Sequence, residues 1–202
     1  MLFAFQFLTF QFSLGDIPSA LFWVACWLLG LTALMSFVEH QVHRKLMHRK
    51  GFLTQRFAAL ETAFQRHAVL HHGQYSKVFH DQPVDYGTDR GIQLSMREGF
   101  IESLPFSLVI FCFSSVGAII FPFIACAHHF IWNQIHLEMH KPEDRFFAHW
   151  PAYKFLARHH YLHHRYPNKN FNVVFPLADY VLRTNARASD ADLEGMRAEG
   201  IL

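Results

Sequence analysis

Histidine is the residue type whose number and spacing in this sequence point most directly to chemistry. The chain of 202 residues contains 16 histidines. On an α-helix, side chains four residues apart are offset by only about 40°, so two histidines at this spacing share a face and can bind one metal ion. Ten histidines form four clusters at or near this spacing: His43 and His48; His67, His71 and His72; His136 and His140; and His160, His163 and His164. The clusters therefore predict metal binding.

The same clusters indicate two metal ions. On a regular helix His72 and His163 point about 100° away from the histidine beside them, so one helix can address a second ion. His43 and His48 diverge by about 140°, and need either two ions or a helix that ends between them. Ten ligands exceed the roughly four of a structural zinc site. We expect a dinuclear, redox-capable centre with two iron ions, which zinc can replace in the isolated protein.

Metal-bound imidazoles commonly donate their outer N–H to a carboxylate, a carbonyl or water. Side chains near the clusters that are candidates for such support are Glu39, Asp81, Asp85, Asn133, Glu138, Tyr161 and Asp179. A surface or capping role is the alternative for each. The histidines outside the clusters are expected to be ordinary core, interface or surface residues: His40, His80, His128, His129, His149 and His159. The sequence assigns no catalytic residue beyond the metal ligands.

Apolar tracts must position these clusters. The first lies in residues 1–16, is too short to cross a bilayer core of about 30 Å, and is expected to lie at the interface. The second follows Asp16, which suits a helix cap, and carries no charge from Ile17 to Phe37. Because each helical residue adds about 1.5 Å, this tract reaches roughly 31 Å. Residues 17–38 are therefore predicted to form a transmembrane helix.

The third tract, residues 104–132, is uncharged but too long for one ordinary span and too short for two. Pro105, Pro122 and the small residues from Ser114 to Gly117 interrupt it. We expect a hairpin of shortened or kinked helices, or a re-entrant segment. Residues 185–202 are predicted to form a polar, partly helical tail.

The charges predict the side of the membrane. Every Lys and Arg lies in residues 39–103 or 133–202, which favours the cytoplasmic side for both. The clusters can then meet if an even number of crossings separates His72 from His136. The sequence thus predicts an all-α integral membrane protein with one domain, residues 1–202, a few transmembrane helices and a cytoplasmic helical cap that holds the dimetal centre. A net charge of +2 gives no broad basic field, so nucleic acid is not an expected partner.

The clusters resemble the histidine boxes of the fatty acid hydroxylase superfamily, membrane di-iron oxygenases that include fatty acid 2-hydroxylases and sterol desaturases. The resemblance extends roughly from His40 to Thr184. The stretch from His43 to His48 is similar to the first box, residues 153–166 are similar to the last box, and residues 170–184 are similar to the closing segment. Four boxes in order make the resemblance specific.

The resemblance implies that all ten clustered histidines hold two iron ions and that O2 is the co-substrate. The implied reaction is hydroxylation of an unactivated C–H bond of a lipid or other apolar substrate, with electrons from a separate donor protein. Desaturation by the same class of centre is an alternative that the sequence does not separate. A histidine-rich metal transporter or store is another, but transporters usually bury ionisable ligands within their spans, and Ile17 to Phe37 contains none.

Overall fold

The computed structural model describes residues 17–76, 78–81 and 93–202, with side chains from residue 21 onward. The secondary structure of these residues consists of helices, and no strand occurs among them, as the sequence predicts. The predicted interfacial segment, residues 1–16, and Asp85 lie outside the described residues. The elements in chain order are α1 (Ile17–Val42), a π-helical segment (His43–Met47), α2 (Phe52–Arg56), α3 (Ala58–Phe64), a second π-helical segment (Gln65–His71), α4 (His72–Gln74), α5 (Met96–Phe111), α6 (Ser115–His140), α7 (Pro151–Arg165), α8 (Leu177–Val181) and α9 (Asp190–Ala198).

The helix α1 is longer than the uncharged tract that predicts it. It has 26 residues and continues directly into the first π-helical segment. Its last turns carry Glu39 and His40, which are buried against the polar part of the chain. The lack of charge therefore marks the apolar stretch and not the end of the helix. Farther from the clusters, large apolar side chains such as Trp23 and Leu29 are exposed.

Residues 104–132 lie in a pair of helices joined by a short turn, and both helices extend beyond that tract. The first arm, α5, begins at Met96, and the second arm, α6, ends at His140. Pro105 and Pro122 lie inside these helices without ending them. The turn falls at Ser114, whose side chain caps α6. The hairpin returns the chain to the end of the molecule from which α5 starts.

Gly117 determines how closely α6 approaches α1. A Cβ at this position would lie 2.8 Å from the Trp27 ring, so a larger residue would push the two helices apart. The side chains buried between α1 and α6 are Leu31, Met35, Phe121 and Ala125. This packing fixes the carboxyl ends of the two helices, which carry histidine clusters, relative to each other.

By length and composition, two of the described helices are candidates for membrane spans. These candidates are Leu21–Met47 and Ser115–His140. The helix α5 has 16 residues and is shorter than either. The structure thus agrees with few spanning helices.

A second core lies around α7, and we call the part of the chain that surrounds this core the polar cap. Its core includes Met139, Tyr153, Ala157, Leu162 and Val173. The predicted polar tail does contain a helix, α9, but this helix packs against the cap, and its Met196 is buried. Gly195 allows the close approach, because a Cβ there would lie 2.0 Å from the Tyr161 hydroxyl.

Candidate metal centre

Nine of the ten clustered histidines meet in two groups that can hold a metal ion. Within each group the potential ligand atoms lie within 4.8 Å of one another. The first group contains His43, His48, His67, His72 and His163, and the second contains His71, His140, His160 and His164. The groups adjoin, since the ring centroids of His72 and His164 are 4.4 Å apart. Residues from all four clusters therefore converge on one place.

In the first group the Nε2 atoms surround a common point. Neighbouring Nε2 atoms are separated by distances that range from 2.7 Å, between His43 and His67, to 3.3 Å, between His67 and His72. Two nitrogens bound at right angles to one ion at about 2.1 Å would be about 3.0 Å apart. The observed spacing matches that of ligands around an ion.

The second group has the same spacing. The Nε2 atom of His160 lies 3.0 Å from that of His140 and 3.1 Å from that of His164. The Nε2 atom of His71 is 3.2 Å from that of His164. This group therefore presents four nitrogens to a second point beside the first.

The π-helical segments explain which histidines share a group. A π-helix bonds residue i to residue i+5 and has more residues per turn, so residues five apart diverge far less than the roughly 140° of an α-helix. His43 and His48, and likewise His67 and His72, are five apart and join the first group. The expected pairing of His67 with His71 is therefore wrong, because His71 faces the second group.

On the regular helix α7 the expected division holds. His160 and His164, four residues apart, both belong to the second group, while His163 belongs to the first. One helix thus addresses both points, as its spacing predicts. Its fifteen residues begin at Pro151, in the first turn where the missing N–H costs no hydrogen bond.

His136 lies beside the second group but outside both groups. Its ring centroid is 4.7 Å from those of His140 and His160. On its other side it stacks on Trp132 at 4.0 Å. His136 is a predicted ligand, but the structure places its ring against the rings of the second group.

Backbone carbonyls, and not carboxylates, hold the outer nitrogens of three clustered histidines. The Nδ1 atom of His163 donates to the Lys169 carbonyl at 2.6 Å, and that of His140 donates to the Phe79 carbonyl at 2.9 Å. The Nδ1 atom of His43 donates to the Phe171 carbonyl. A neutral imidazole has one N–H, so these bonds leave each Nε2 with a bare lone pair that faces the group.

These lone pairs make a bound cation the simplest explanation of the first group. The Nε2 atom of His48 lies 3.2 Å from that of His43 and 3.0 Å from that of His163, both of which are acceptors. A single N–H on His48 satisfies one of them and leaves the other facing a nitrogen. A metal ion between the rings satisfies all of the lone pairs together. The residues present therefore fit a metal.

Two buried carboxylates hold the loop that supplies two of these carbonyls, those of Lys169 and Phe171. Asp179 accepts hydrogen bonds from the backbone N–H of Phe171 at 3.0 Å and of Asn172 at 2.7 Å. Glu39 accepts from the backbone N–H of Val173 at 2.8 Å and from the Asn172 side chain at 2.9 Å. Residues 169–173, which we call the carbonyl loop, are thus fixed from α1 and α8 together.

The described carboxylates that were expected to accept hydrogen bonds from the clustered imidazoles have other partners. Among the described residues, no carboxylate accepts a hydrogen bond from a ring nitrogen of the ten histidines. Glu138 pairs with Arg145 and accepts from the Glu143 backbone, and Asp81 pairs with Lys141 at 3.0 Å. Both carboxylates therefore bind cations instead of imidazoles.

The two uncharged candidates also have structural roles. Asn133 donates to and accepts from the Leu94 backbone, and so ties the start of the hairpin to α6. Tyr161 packs against Phe79 and α9. Neither touches a ring nitrogen of the two groups.

Burial keeps the ligands outside the candidate spans neutral. It lowers the pKa of His48 to about 4 and that of His72 to about 3. Burial, followed by the neighbouring imidazoles, also holds the pKa of several other ligands well below the ordinary 6.5. These ligands are His67, His71, His160, His163 and His164. A neutral imidazole is the form that binds a metal ion.

Four of the six other histidines lie outside the helix α6, and each has a partner. His159 donates to Asp179 at 3.0 Å, and His40 contacts Thr184 at 2.9 Å, so both belong to the network behind the carbonyl loop. His80 contacts the backbone of α6 and of Glu199. His149 is exposed beside Asp144.

The other two, His128 and His129, lie inside the candidate span α6. His128 is 3.3 Å from Glu39, and His129 packs against Gly99, where a Cβ would come within 2.7 Å of its ring. All six therefore lie outside the metal groups, as expected.

Two features near the centre escape sequence reasoning. The carbonyl loop supports ligands through backbone atoms, which leave no signal in residue types. Tyr75 is buried with its ring centroid 4.2 Å from that of His140 and 5.1 Å from that of His71. Its position three residues after His72 was the only signal that could have placed it near the centre.

Comparisons with known proteins add no relative to this description. The chain matches no family model, no curated protein and no solved structure. The function is therefore inferred from the arrangement of the residues described above.

Proposed function

We propose that this protein is an O2-dependent di-iron membrane oxidoreductase that hydroxylates an unactivated C–H bond of a lipid or other apolar substrate. The observation that carries the proposal is the pair of adjoining imidazole groups at the carboxyl ends of two long apolar helices. The resemblance of the clusters to the histidine boxes of the fatty acid hydroxylase superfamily supports the same reaction.

The ligand set favours a catalytic pair of ions over a structural ion. Four ligands close a structural zinc site, whereas nine imidazoles adjoin here in two groups. Neutral imidazole suits iron, and also zinc, copper and nickel. Two iron ions held by these residues would supply the activation of O2 and the oxidation of the C–H bond, with two electrons from a separate donor protein.

The residues of this chain would bind the metal ions, orient the imidazole rings and shield the centre from water. The carbonyl loop fixes the rings of His43 and His163, so their Nε2 atoms stay aimed at the first group. Burial of most ligands limits the access of water to the centre. Tyr75 covers the rings of His71 and His140, and Trp132 stacks on His136, which packs against the second group.

The outer surface of the hairpin supports a membrane location. Leu108, Phe113 and Phe123 are 72%, 83% and 68% exposed. Water penalises such a continuous apolar surface, whereas hydrocarbon does not. Because all Lys and Arg residues lie outside residues 104–132, the proposed side for the centre is cytoplasmic.

The test begins with anaerobic purification of the full chain with iron, followed by a reductant, O2 and a lipid extract. We expect O2 consumption and a hydroxylated lipid from the wild type and from His149→Ala, and neither from His163→Ala. His149 is a matched control because it is exposed and outside both groups. Equal loss in both variants would contradict the assignment of ligands.

Product analysis in this experiment, together with an assay of metal uptake into vesicles, separates the alternatives. A product with a new double bond in place of a hydroxyl group would identify a desaturase. Metal uptake into vesicles without O2 consumption would identify a transporter. One observation that favours the latter is the contact between His128 and Glu39 inside the candidate spans.

A further inference from the structure

An apolar cavity of about 330 Å³ lies beside the carboxyl end of α1. The residues that line it are Gln41, Val42, Lys45, Leu46, Gly51, Phe52, Leu53 and Thr54. None of them belongs to the two imidazole groups, so the cavity is separate from the metal centre. Its volume lies in the range of pockets that hold small molecules.

A one-sided charge distribution surrounds this cavity. Between Glu39 and Glu61 there is no acidic residue, and five cations follow one another: Arg44, Lys45, Arg49, Lys50 and Arg56. Lys50 lies 3.9 Å from Glu61. Arg44 also has a partner, because its guanidinium lies over the ring of Phe171.

Three of the cations remain available to a ligand. Lys45, Arg49 and Arg56 are exposed, and none forms an ion pair with a described residue. Of these, Lys45 lines the cavity itself. The segment therefore offers an apolar cavity with positive charge around it.

Exposed apolar side chains accompany these cations. Phe52 is 78% exposed, and Leu53 and Phe57 are about half exposed. The segment begins in the last turn of the candidate span Leu21–Met47 and continues beyond it, and so lies where a bilayer would meet water. Aromatic and basic side chains together are typical of segments at that level.

We propose that the cavity binds an acyl chain of a membrane phospholipid whose anionic headgroup lies among Lys45, Arg49 and Arg56. The mostly apolar surface of the cavity favours an acyl chain, and the exposed cations favour a phosphate that carries net negative charge. This inference rests on the proposed membrane location and not on the di-iron chemistry.

A photoreactive side chain identifies the occupant. Phe52 lines the cavity and is exposed, so an aromatic photoreactive side chain at this position leaves room for an occupant. In the variant Phe52→p-benzoylphenylalanine, reconstituted in bilayers of phosphatidylcholine and phosphatidylglycerol, illumination should add the mass of phosphatidylglycerol. Attachment to a peptide from residues 1–16 of this chain, or to a second copy, would overturn the proposal. Attachment to phosphatidylcholine in proportion to its abundance would overturn the headgroup assignment.

Charge variants test the headgroup. We expect the combined variant Lys45→Gln, Arg49→Gln and Arg56→Gln to lose roughly tenfold or more of the preference for retained phosphatidylglycerol, measured by mass spectrometry after purification. The matched control is Arg183→Gln, Arg187→Gln and Arg197→Gln, which removes the same charge from exposed positions elsewhere. Equal loss in the control would show that only net charge matters and would overturn the headgroup site.

A second variant keeps the cations and fills the cavity. Leu46→Trp should displace the lipid while leaving the surrounding charge unchanged, which covers the case in which the triple variant fails to fold. Unchanged retention in Leu46→Trp would overturn the cavity as the binding site. Extraction of the wild type from membranes by alkaline carbonate would instead contradict the membrane location, so the two failures are distinguishable.

Discussion

At the scale of single residues, the ligands are held by backbone atoms whose positions depend on distant carboxylates. Asp179 is fully buried and also accepts hydrogen bonds from His159 and Thr184. Burial alone would raise the pKa of Asp179, but the hydrogen bonds from His159, Thr184 and the Asn172 backbone together lower it. The carboxylate is therefore ionised at neutral pH, and its charge stabilises the carbonyl loop.

Asp179→Asn should weaken both the fold and the first metal site. An amide offers one acceptor oxygen and an NH2 group in place of two acceptor oxygens, so N–H donors of the loop lose their partner. We expect a loss of about 3 kcal/mol in the free energy of unfolding, measured with denaturant, and a lower metal content. The control Asp144→Asn changes an exposed carboxylate, and a loss of similar size in the control would refute the special role of Asp179.

Acid should destabilise the metal-free protein. In the unfolded chain a histidine takes up a proton near its ordinary pKa of 6.5, whereas the pKa of folded His48 is about 4 and that of folded His72 about 3. Between these values protons bind preferentially to the unfolded chain, so stability falls as the pH decreases from 6.5 towards 4. The measurement is the denaturation midpoint of metal-free protein at about pH 7.5 and about pH 5, and an unchanged midpoint would contradict burial of neutral imidazoles.

Histidine spacing predicted the residues that the structure brings together, with His136 as the exception, but not their support. Histidine spacing identified all nine residues of the two groups, because imidazoles that recur at helical spacing are typical of metal sites. The carbonyl acceptors at Lys169 and Phe171 could not be predicted, since every residue has a carbonyl and only the fold selects which one faces a ring.

At the scale of elements, the two π-helical segments decide how histidines are distributed between the groups. The sequence predicted helices around the clusters, but the change to i→i+5 bonding depends on tertiary packing. The hairpin of residues 104–132 was predicted from its lack of charge, yet α5 and α6 extend beyond it because helix ends follow backbone bonding and not hydropathy. The charged continuations of α1 and α6 were missed for the same reason.

A change of one residue in the second π-helical segment tests this distribution. Deletion of the exposed Leu70 places His67 and His72 four apart, the spacing at which a regular α-helix puts both on one face. Metal at the first group should be retained. Insertion of one alanine after Leu70 places them six apart and should remove that metal, so the same metal content in both variants would contradict the role of helical phase.

At the scale of the whole molecule, four separate stretches of chain meet at one end of the apolar helices. The close packing of α1 on α6 at Gly117 and Trp27 fixes two of them, α7 carries a third, and the stretch with His67, His71 and His72 packs against the first π-helical segment. Convergence could be predicted from the requirement that the ligands meet. The closeness of the two groups could not, because it depends on how the cap packs.

The most direct measurement is the number of metal ions that the anaerobically purified protein holds and the site that holds each one. We predict two ions per chain in the wild type and in His149→Ala, with one ion lost in His163→Ala and the other lost in His140→Ala. X-ray absorption should then show nitrogen ligands at about 2.1 Å. A single ion in the wild type, or the same content in all three variants, would contradict a centre in which two adjoining imidazole groups each hold a metal.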